Sequence, residues 1–340
     1  MVLLIAGAIA IPGLCAEGES GFCTAFLWKL FPTSVVTGLM KGGINALIAL
    51  GLVLIYKSSQ VFNFAQGHLV MISTFIAWSL MVQVGLPIWL SVLLALLATI
   101  LLSILIERLA LRPLTGQPIL ATILMTLALG QILLGINFLT WGGARQVFPE
   151  AFVNAFQACP VPGLENCRIN LGSYYIPLTL KPILLWCFAI AVVAVIAFAI
   201  FFQFTRAGLA MRATAENHML AQSVGLRVPR IFATAWAISG TIALVGGLLL
   251  GIISGVDAVN LAFAGLLAFP AVLLGGLESI PGAIIGGLVL GLVTELSASL
   301  PAGQAIRQLN LPSVVPYLVL LLILLIKPDG LFGLKRIERI

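Results

Sequence analysis

Side chains able to do chemistry are few in this chain, and their placement limits what that chemistry is. The 340 residues hold 17 Lys or Arg, 11 Asp or Glu and two histidines. His68 and His218 stand on different polar stretches, far apart in sequence. The cysteines, Cys15, Cys23, Cys159, Cys167 and Cys187, form no CxxC pair and no metal-ligand spacing. No GxxxxGKS/T stretch is present to cradle a nucleotide phosphate, and no HExxH or GxSxG stretch in a strand-turn-helix setting. A catalytic constellation needs several ionisable groups converging on one pocket. The sequence therefore predicts no enzyme, no metal site and no cofactor bound by this chain.

What remains is a small set of polar residues embedded in apolar sequence. Glu295 is the one acidic residue well inside a late apolar segment. A charge at a bilayer centre costs about 2.5–3.5 kcal/mol on insertion scales. Glu295 must face protein or water, or sit near a helix end; the sequence leaves path lining and helix-end placement open. The stretch Gln60 to His68 is too polar for lipid and too short for a domain. Non-helical backbone at membrane depth survives only against protein or a wet cavity. The stretch reads either as a helix break beside a translocation path or as an ordinary turn. Asn63, Gln66 and Glu295 are the candidate path residues.

The elements that must position them are membrane spans. Hydrophobic residues make up 61% of the chain and charged residues 8%, with a mean hydropathy of +1.19. Soluble domains carry about 25% charged residues, so these charges cannot cover a water-facing globule. The expected fold is all-α, a polytopic membrane helix bundle of roughly eight to ten transmembrane helices with broken or re-entrant segments. The net charge of +6 is no nucleic-acid signature, because the basic residues fall at span ends without interleaved aromatics. The bilayer is the expected surrounding; nucleic acid is not an expected partner.

Spans are expected over Thr33–Tyr56, Leu69–Val84, Pro87–Ile106, Ile119–Trp141, Pro182–Phe204, Ile231–Ser254 and Val314–Ile326. A further pair between Ser254 and Glu295 is interrupted by Pro270, by Gly275-Gly276 and by Ser279 to Gly282. Lys41 is placed to snorkel outward. Gly247, Gly251 and Gly255, four apart, clear one helix face, as do Gly282 with Gly286 and Gly287 with Gly291. Such faces let neighbouring backbones approach where lipid removes the hydrophobic drive between helices. Gly67, Gly247, Gly251, Pro281, Gly282 and Gly286 are the helix-break and close-packing set.

One polar island organises the rest: Arg206 to Arg230, with Arg212, Glu216, His218, Gln222 and Arg227 between apolar spans on both sides. Its middle, Ala213 to Val224, predicts a short helix that Gly225 can end and that Pro229 keeps from continuing. A rigid helix held between two spans passes displacement to both, as a floppy loop would not.

Several stretches resemble one family. RATAENHMLAQSVGLRVPRI resembles the cytoplasmic coupling loop of bacterial ABC-importer permeases in the form found in branched-chain amino acid (Liv-type) permeases. The Ala-x3-Gly core falls at Ala221 and Gly225, and the acidic residue stands at Glu216 rather than at Met219. Asn63-Phe64-Ala65-Gln66-Gly67 is similar to the family's NFA(H/Q)G signature, IERLALRPL again resembles the family, and AVLLGGLESIPGAIIGGLVLG is close to its consensus. The resemblance covers Gly38 to the C-terminus and departs at the N-terminal extension, at Lys41 and at Lys57 to Gln60. It implies a permease domain over 33–340, preceded over 1–32 by a signal-like or extra N-terminal helix and an interfacial segment. Whether Met1–Ala16 is cleaved or retained stays open.

The resemblance further implies a second permease subunit, two ATP-binding cassette subunits that hold the ATP and dock on the 206–230 loop, and a periplasmic solute-binding protein. Arg212, Glu216, Ala221 and Gly225 would form the ATPase-coupling loop. The implied solute is an amino acid, branched-chain first, moved into the cytoplasm across the bacterial inner membrane. Alternatives are urea or another small polar solute, or a secondary transporter acting alone; a polytopic enzyme lacks its constellation. With the 206–230 loop inside, Lys57, Arg108, Arg112 and the basic tail also fall inside, which predicts a cytoplasmic C-terminus. Cys159 and Cys167 share an outer loop and are either disulfide-bonded or free.

Overall fold

A computed structural model describes residues 31–114, 116–158, 168–169, 178–179, 181–216, 218–299 and 311–333. The N-terminal segment and the Cys159–Cys167 pair lie outside the described residues. The long apolar runs are helices, the arrangement that satisfies every backbone polar group within one segment. They are α1 (Phe31–Ser59), α2 (Gln66–Val82), α3 (Ile88–Ile106) and α4 (Ile119–Trp141). A short α5 (Glu150–Asn154) follows, then α6 (Pro182–Phe204), α7 (Arg206–Glu216) and α8 (His218–Ser223). The last four are α9 (Val228–Ser254), α10 (Ala258–Gly275), α11 (Ile280–Ser299) and α12 (Leu311–Ile326). Two two-residue strands, Arg168–Ile169 and Leu178–Thr179, pair antiparallel in the connection between α5 and α6.

Among the described residues seven helices are long and apolar enough to cross a membrane, and α2 and the apolar part of α12 are shorter candidates. The chain is a multi-pass membrane protein. Burial sorts the spans. Over an 18-residue apolar stretch α1 is 83% buried, whereas α3, α4 and α6 are 22% buried. So α1 is the post of the bundle, and α3, α4 and α6 turn Leu97, Leu101, Ile132, Val193 and Ile196 outward, as lipid-facing helices do.

Hydrogen bonds fix which helix ends lie together. At one end Lys57 Nζ donates to the Glu278 carbonyl, Arg112 reaches the Pro229 carbonyl, and the Leu331 and Phe332 amides donate to Leu274 and Gly275. This basic end also holds α7 and α8. At the opposite end Trp78 Nε1 donates to the Val147 carbonyl, and Gln146 pairs antiparallel with Val256.

Glycines set the tightest crossings. A Cβ at Gly287 would meet the backbone of Ala46, and one at Gly42 would meet Leu288 Cα at 2.8 Å, so α1 and α11 lie almost backbone to backbone. Gly38 and Gly42 carry that contact on α1 and were not in the sequence-derived set, although their four-residue spacing is the same signal.

Three expectations change. Pro270 does not interrupt its helix; α10 runs through it to Gly275, and the break comes at Gly276, with φ +100°. A bundle interior tolerates the lost amide bond because neighbouring helices fix the segment from outside. Pro281 lies in the first turn of α11, where its missing N–H removes no intrahelical bond. Gly255 does not extend the glycine face of α9; at φ +81° it ends the helix.

Candidate functional site

The polar island between α6 and α9 is a helical elbow. The expected helix over 213–224 is described on both sides of residue 217, as α7 and α8, and the helical stretch starts earlier than expected: Thr205 Oγ1 accepts the Gly208 amide at 3.1 Å and caps α7 at its first turn. Gly208 lies so close to the Phe202 carbonyl that a Cβ would overlap it, which lets the chain fold sharply off α6. α8 ends where Gly225 turns to φ +87° and the Leu226 amide returns to the Ala221 carbonyl at 3.0 Å.

Both ends of the elbow are tied down. Arg212 donates to the Gln203 carbonyl at 3.1 Å, and its guanidinium lies 5.7 Å from the Phe202 ring centroid. Lys57 Nζ, at the end of α1, lies 5.4 Å from the same centroid. On the other side Glu107, 1% exposed, holds Arg112 at 3.0 Å, and Arg112 reaches Pro229 in the first turn of α9. Glu107 and Arg112 thus anchor the 107–112 turn.

Ala221 is 3% exposed and points into the fold, so it is no contact surface. Glu216 is exposed. The residues turned outward beside Ala221 are Leu220, 65% exposed, and Val224, 76% exposed. Sequence reasoning overlooked them because a motif marks its own positions and not their outward neighbours. Two large exposed apolar side chains one turn apart are the kind of patch that docks a partner.

The second constellation lies just inside the basic end. After α1 the chain turns at Gln60, φ 55°, and α2 begins at Gln66. Asn63 Oδ1 accepts the Ala65 amide at 3.1 Å, and Asn63 Nδ2 donates to Gln66 Oε1 at 3.1 Å. Ser239 Oγ, from α9, stands 2.9 Å from Gln66 Oε1 and 3.1 Å from the Gly51 carbonyl. Thr126 of α4 accepts the Phe64 amide at 3.3 Å. Gly67 sits against Ala262 and Gly265, so that α10 closes over the turn. Asn63 and Gln66 are therefore brought together and sealed, at 1% and 0% exposure. Gln66 Nε2 is buried there without a hydrogen-bond partner among the described residues.

Glu295 stands elsewhere, fifteen residues along α11 from Ile280, roughly 22 Å of helix rise from the basic end. Its partner is Lys41, with Nζ 2.6 Å from Oε2. Lys41 does not snorkel away alone: it crosses to α11, with the side chains 44% and 22% exposed. Of the close-packing set, Gly247 lies against Thr74 and Val70 of α2, and Gly251 against Phe148. Gly282 meets Gly275, and Gly286 meets Ala271, which together seat α11 on α10. Among the described residues no group of His, Cys, Asp or Glu is placed to hold a metal ion.

Residues 34–324 match the family described as "Branched-chain amino acid transport system / permease component". The chain is 30% identical over 324 residues to the high-affinity branched-chain amino acid transport system permease protein LivH of Salmonella typhimurium, covering 93% of this chain and 98% of that one. It is 30% identical over 318 residues to the corresponding permease protein BraD of Pseudomonas aeruginosa, covering 90% and 97%. Among solved structures, "PsaBC from Streptococcus pneumoniae in complex with Fab" is similar at a TM-score of 0.43 and 13% identity, over 89% of this chain and 95% of that chain.

Proposed function

The chain belongs to the permease-component family of branched-chain amino acid transport systems, and from that premise we propose that it is a membrane-spanning subunit of an ABC importer. It passes amino acids, branched-chain ones first, into the cytoplasm across a bacterial inner membrane. A second permease subunit completes the conduit, two ATP-binding cassette subunits bind and hydrolyse the ATP, and a periplasmic binding protein delivers the solute. The elbow and the C-terminus face the cytoplasm. The chain itself holds no cofactor and performs no chemical step.

The observation that carries this reading is the elbow. α7 and α8 are short helices pinned to α6 through Arg212, while Arg112 fixes the start of α9. Leu220 and Val224 are left exposed on it. Force applied there enters two spans at once. The absence of a phosphate-binding loop fits a machine whose engine lies on another chain.

The test is co-purification. Leu220→Asp and Val224→Asp should each reduce recovery of the ATPase subunits with the membrane-inserted chain, and the pair together should abolish it. Full ATPase recovery with the double variant would overturn docking at the elbow. Competition of leucine uptake by urea and by other amino acids would read the solute; urea as the better competitor would overturn the amino-acid assignment.

A further inference from the structure

At the end of the bundle away from the elbow, a cleft of about 510 Å³ opens between the segment following α4 and the close of α9. Binding pockets for small molecules run from about 300 to 1,000 Å³. Its lining divides by chemistry. Arg145 and Glu150 bring opposite charges, Asn154 and Gln157 bring amides, and Phe148 and Ile252 belong to an apolar wall.

The walls are built and braced. Gln146 and Val256 exchange backbone hydrogen bonds at 2.8 Å, which ties the segment after α4 to the end of α9. Phe148, 4% exposed, packs on Gly251 and edge-on to Phe152, with centroids 5.2 Å apart. Arg145 donates from Nη2 to the Ser254 carbonyl. Its guanidinium lies so close to Gly255 that a Cβ there would meet Nε at 2.5 Å. The glycine that ends α9 thus makes room for the arginine head.

The charges are left over. Among the described residues the ion pairs are Lys41–Glu295 and Arg112–Glu107, so neither Arg145 nor Glu150 is neutralised by a charged neighbour. A cation and an anion that share a cleft without pairing, above an apolar wall, match a molecule carrying both charges and an aliphatic tail.

We propose that this cleft is a binding site for a free zwitterionic amino acid with an aliphatic side chain. The solute carboxylate pairs with Arg145, its ammonium pairs with Glu150, and its side chain lies on Phe148 and Ile252. The cleft is the station at which solute first meets the permease, ahead of the sealed Asn63–Gln66 turn at the opposite end. The inference rests on the amino-acid transport reading above and adds to it the place and the groups of first contact.

The probe is radiolabelled leucine, with the purified complex in phosphatidylglycerol nanodiscs, without nucleotide and without binding protein. Wild type should bind leucine saturably. Arg145→Gln and Glu150→Gln should each weaken binding roughly tenfold or more, as expected for a lost hydrogen bond to a charged group. Leucinamide, which lacks the carboxylate, should bind wild type and Arg145→Gln equally. N-acetyl-leucine, which lacks the ammonium, should bind wild type and Glu150→Gln equally. On wild type alone both analogues should bind more weakly than leucine, so the inference stays testable if a variant does not fold.

Equal binding of all three ligands to wild type, or no saturable leucine binding, overturns the site. Loss of leucine binding when phosphatidylethanolamine replaces phosphatidylglycerol also overturns it, because a lipid headgroup then holds the same two charges. Uptake by the complete reconstituted importer separates the two levels of failure. Leucine uptake that persists without cleft binding sinks this site alone, whereas absence of leucine uptake sinks the transport reading beneath it.

Discussion

Lys41 Nζ and Glu295 Oε2 stand 2.6 Å apart across the crossing of α1 and α11. Gly38 and Gly42 on one helix and Gly287 and Gly291 on the other let the two backbones come close at that crossing. An ion pair at its margin cannot slide by a turn without separating its charges. The pair therefore fixes register between the central post of the bundle and the helix after the Gly276 break. Its partly exposed side must meet water or protein, since lipid would charge several kcal/mol for it.

The pair predicts a sign pattern. Removing one partner strands a charge, while removing both leaves an apolar surface. Lys41→Met and Glu295→Leu should each lower the thermal midpoint of the detergent-purified protein more than the double variant does. Equal, additive losses would mean that the two side chains do not depend on one another. Glu295→Gln should also change uptake if the exposed edge of the pair lines the path, and normal uptake would confine it to register.

Phe202 predicts a split between hydrolysis and transport. Lys57 and Arg212 both lie within 6 Å of its ring centroid, so one ring links the end of α1 to the elbow. Each cation–π contact is worth about 0.5–1 kcal/mol when exposed and about 2 kcal/mol when desolvated. Phe202→Leu keeps the apolar volume and removes the ring face. Solute moved per ATP hydrolysed should fall severalfold in the reconstituted complex, with ATPase subunits still bound. Phe202→Trp should restore the ratio; unchanged stoichiometry in the leucine variant would make Phe202 ordinary packing.

Gly67 and Gly135 form a matched pair of substitutions. A Cβ at Gly67 would overlap the Ala262 carbonyl, so α2 and α10 must part to accept one. Gly135, on α4, has open space around its missing Cβ. Alanine at Gly135 should leave the thermal midpoint unchanged or raise it, since Gly is worse than Ala in a helix by about 1 kcal/mol. Alanine at Gly67 should lower it by several degrees. Equal behaviour would mean that the turn yields without cost.

What the sequence made legible follows from how local each signal was. α4 and α6 lie where the apolar runs alone place them, because their limits are marked by Pro118, Gly142, Pro182 and Thr205. Gly225 was readable as a helix end because glycine takes the positive φ found there without steric cost. The pairing of Lys41 with Glu295 was not readable: the residues are 254 apart in sequence, and nothing local to either names the other. Pro270 misled for a related reason. A proline reports a missing amide, but whether neighbours hold the helix together around it is a property of packing. The inward turn of Ala221 and the outward turn of Leu220 needed the direction of α8, which its six residues are too few to reveal by periodicity.

The Asn63–Gln66 turn yields the last prediction. Gln66 Oε1 is met by both Asn63 and Ser239, while its Nε2 is buried with no partner among the described residues. Gly51 makes the space that this amide occupies, since a Cβ there would meet Nε2 at 2.6 Å. A buried donor left unpaired costs about 1–3 kcal/mol, so this arrangement is not what stability alone would select. Gln66→Met keeps the length of the side chain and removes the orphaned donor together with the acceptor of Asn63 Nδ2, so that one unpaired buried donor replaces another, while Ser239 keeps the Gly51 carbonyl. If the turn is retained because it must reopen to water during transport, the variant should hold the thermal midpoint while uptake falls. A lowered midpoint with uptake intact would show the opposite: that the amide serves the fold through its carbonyl, and that solute passes elsewhere.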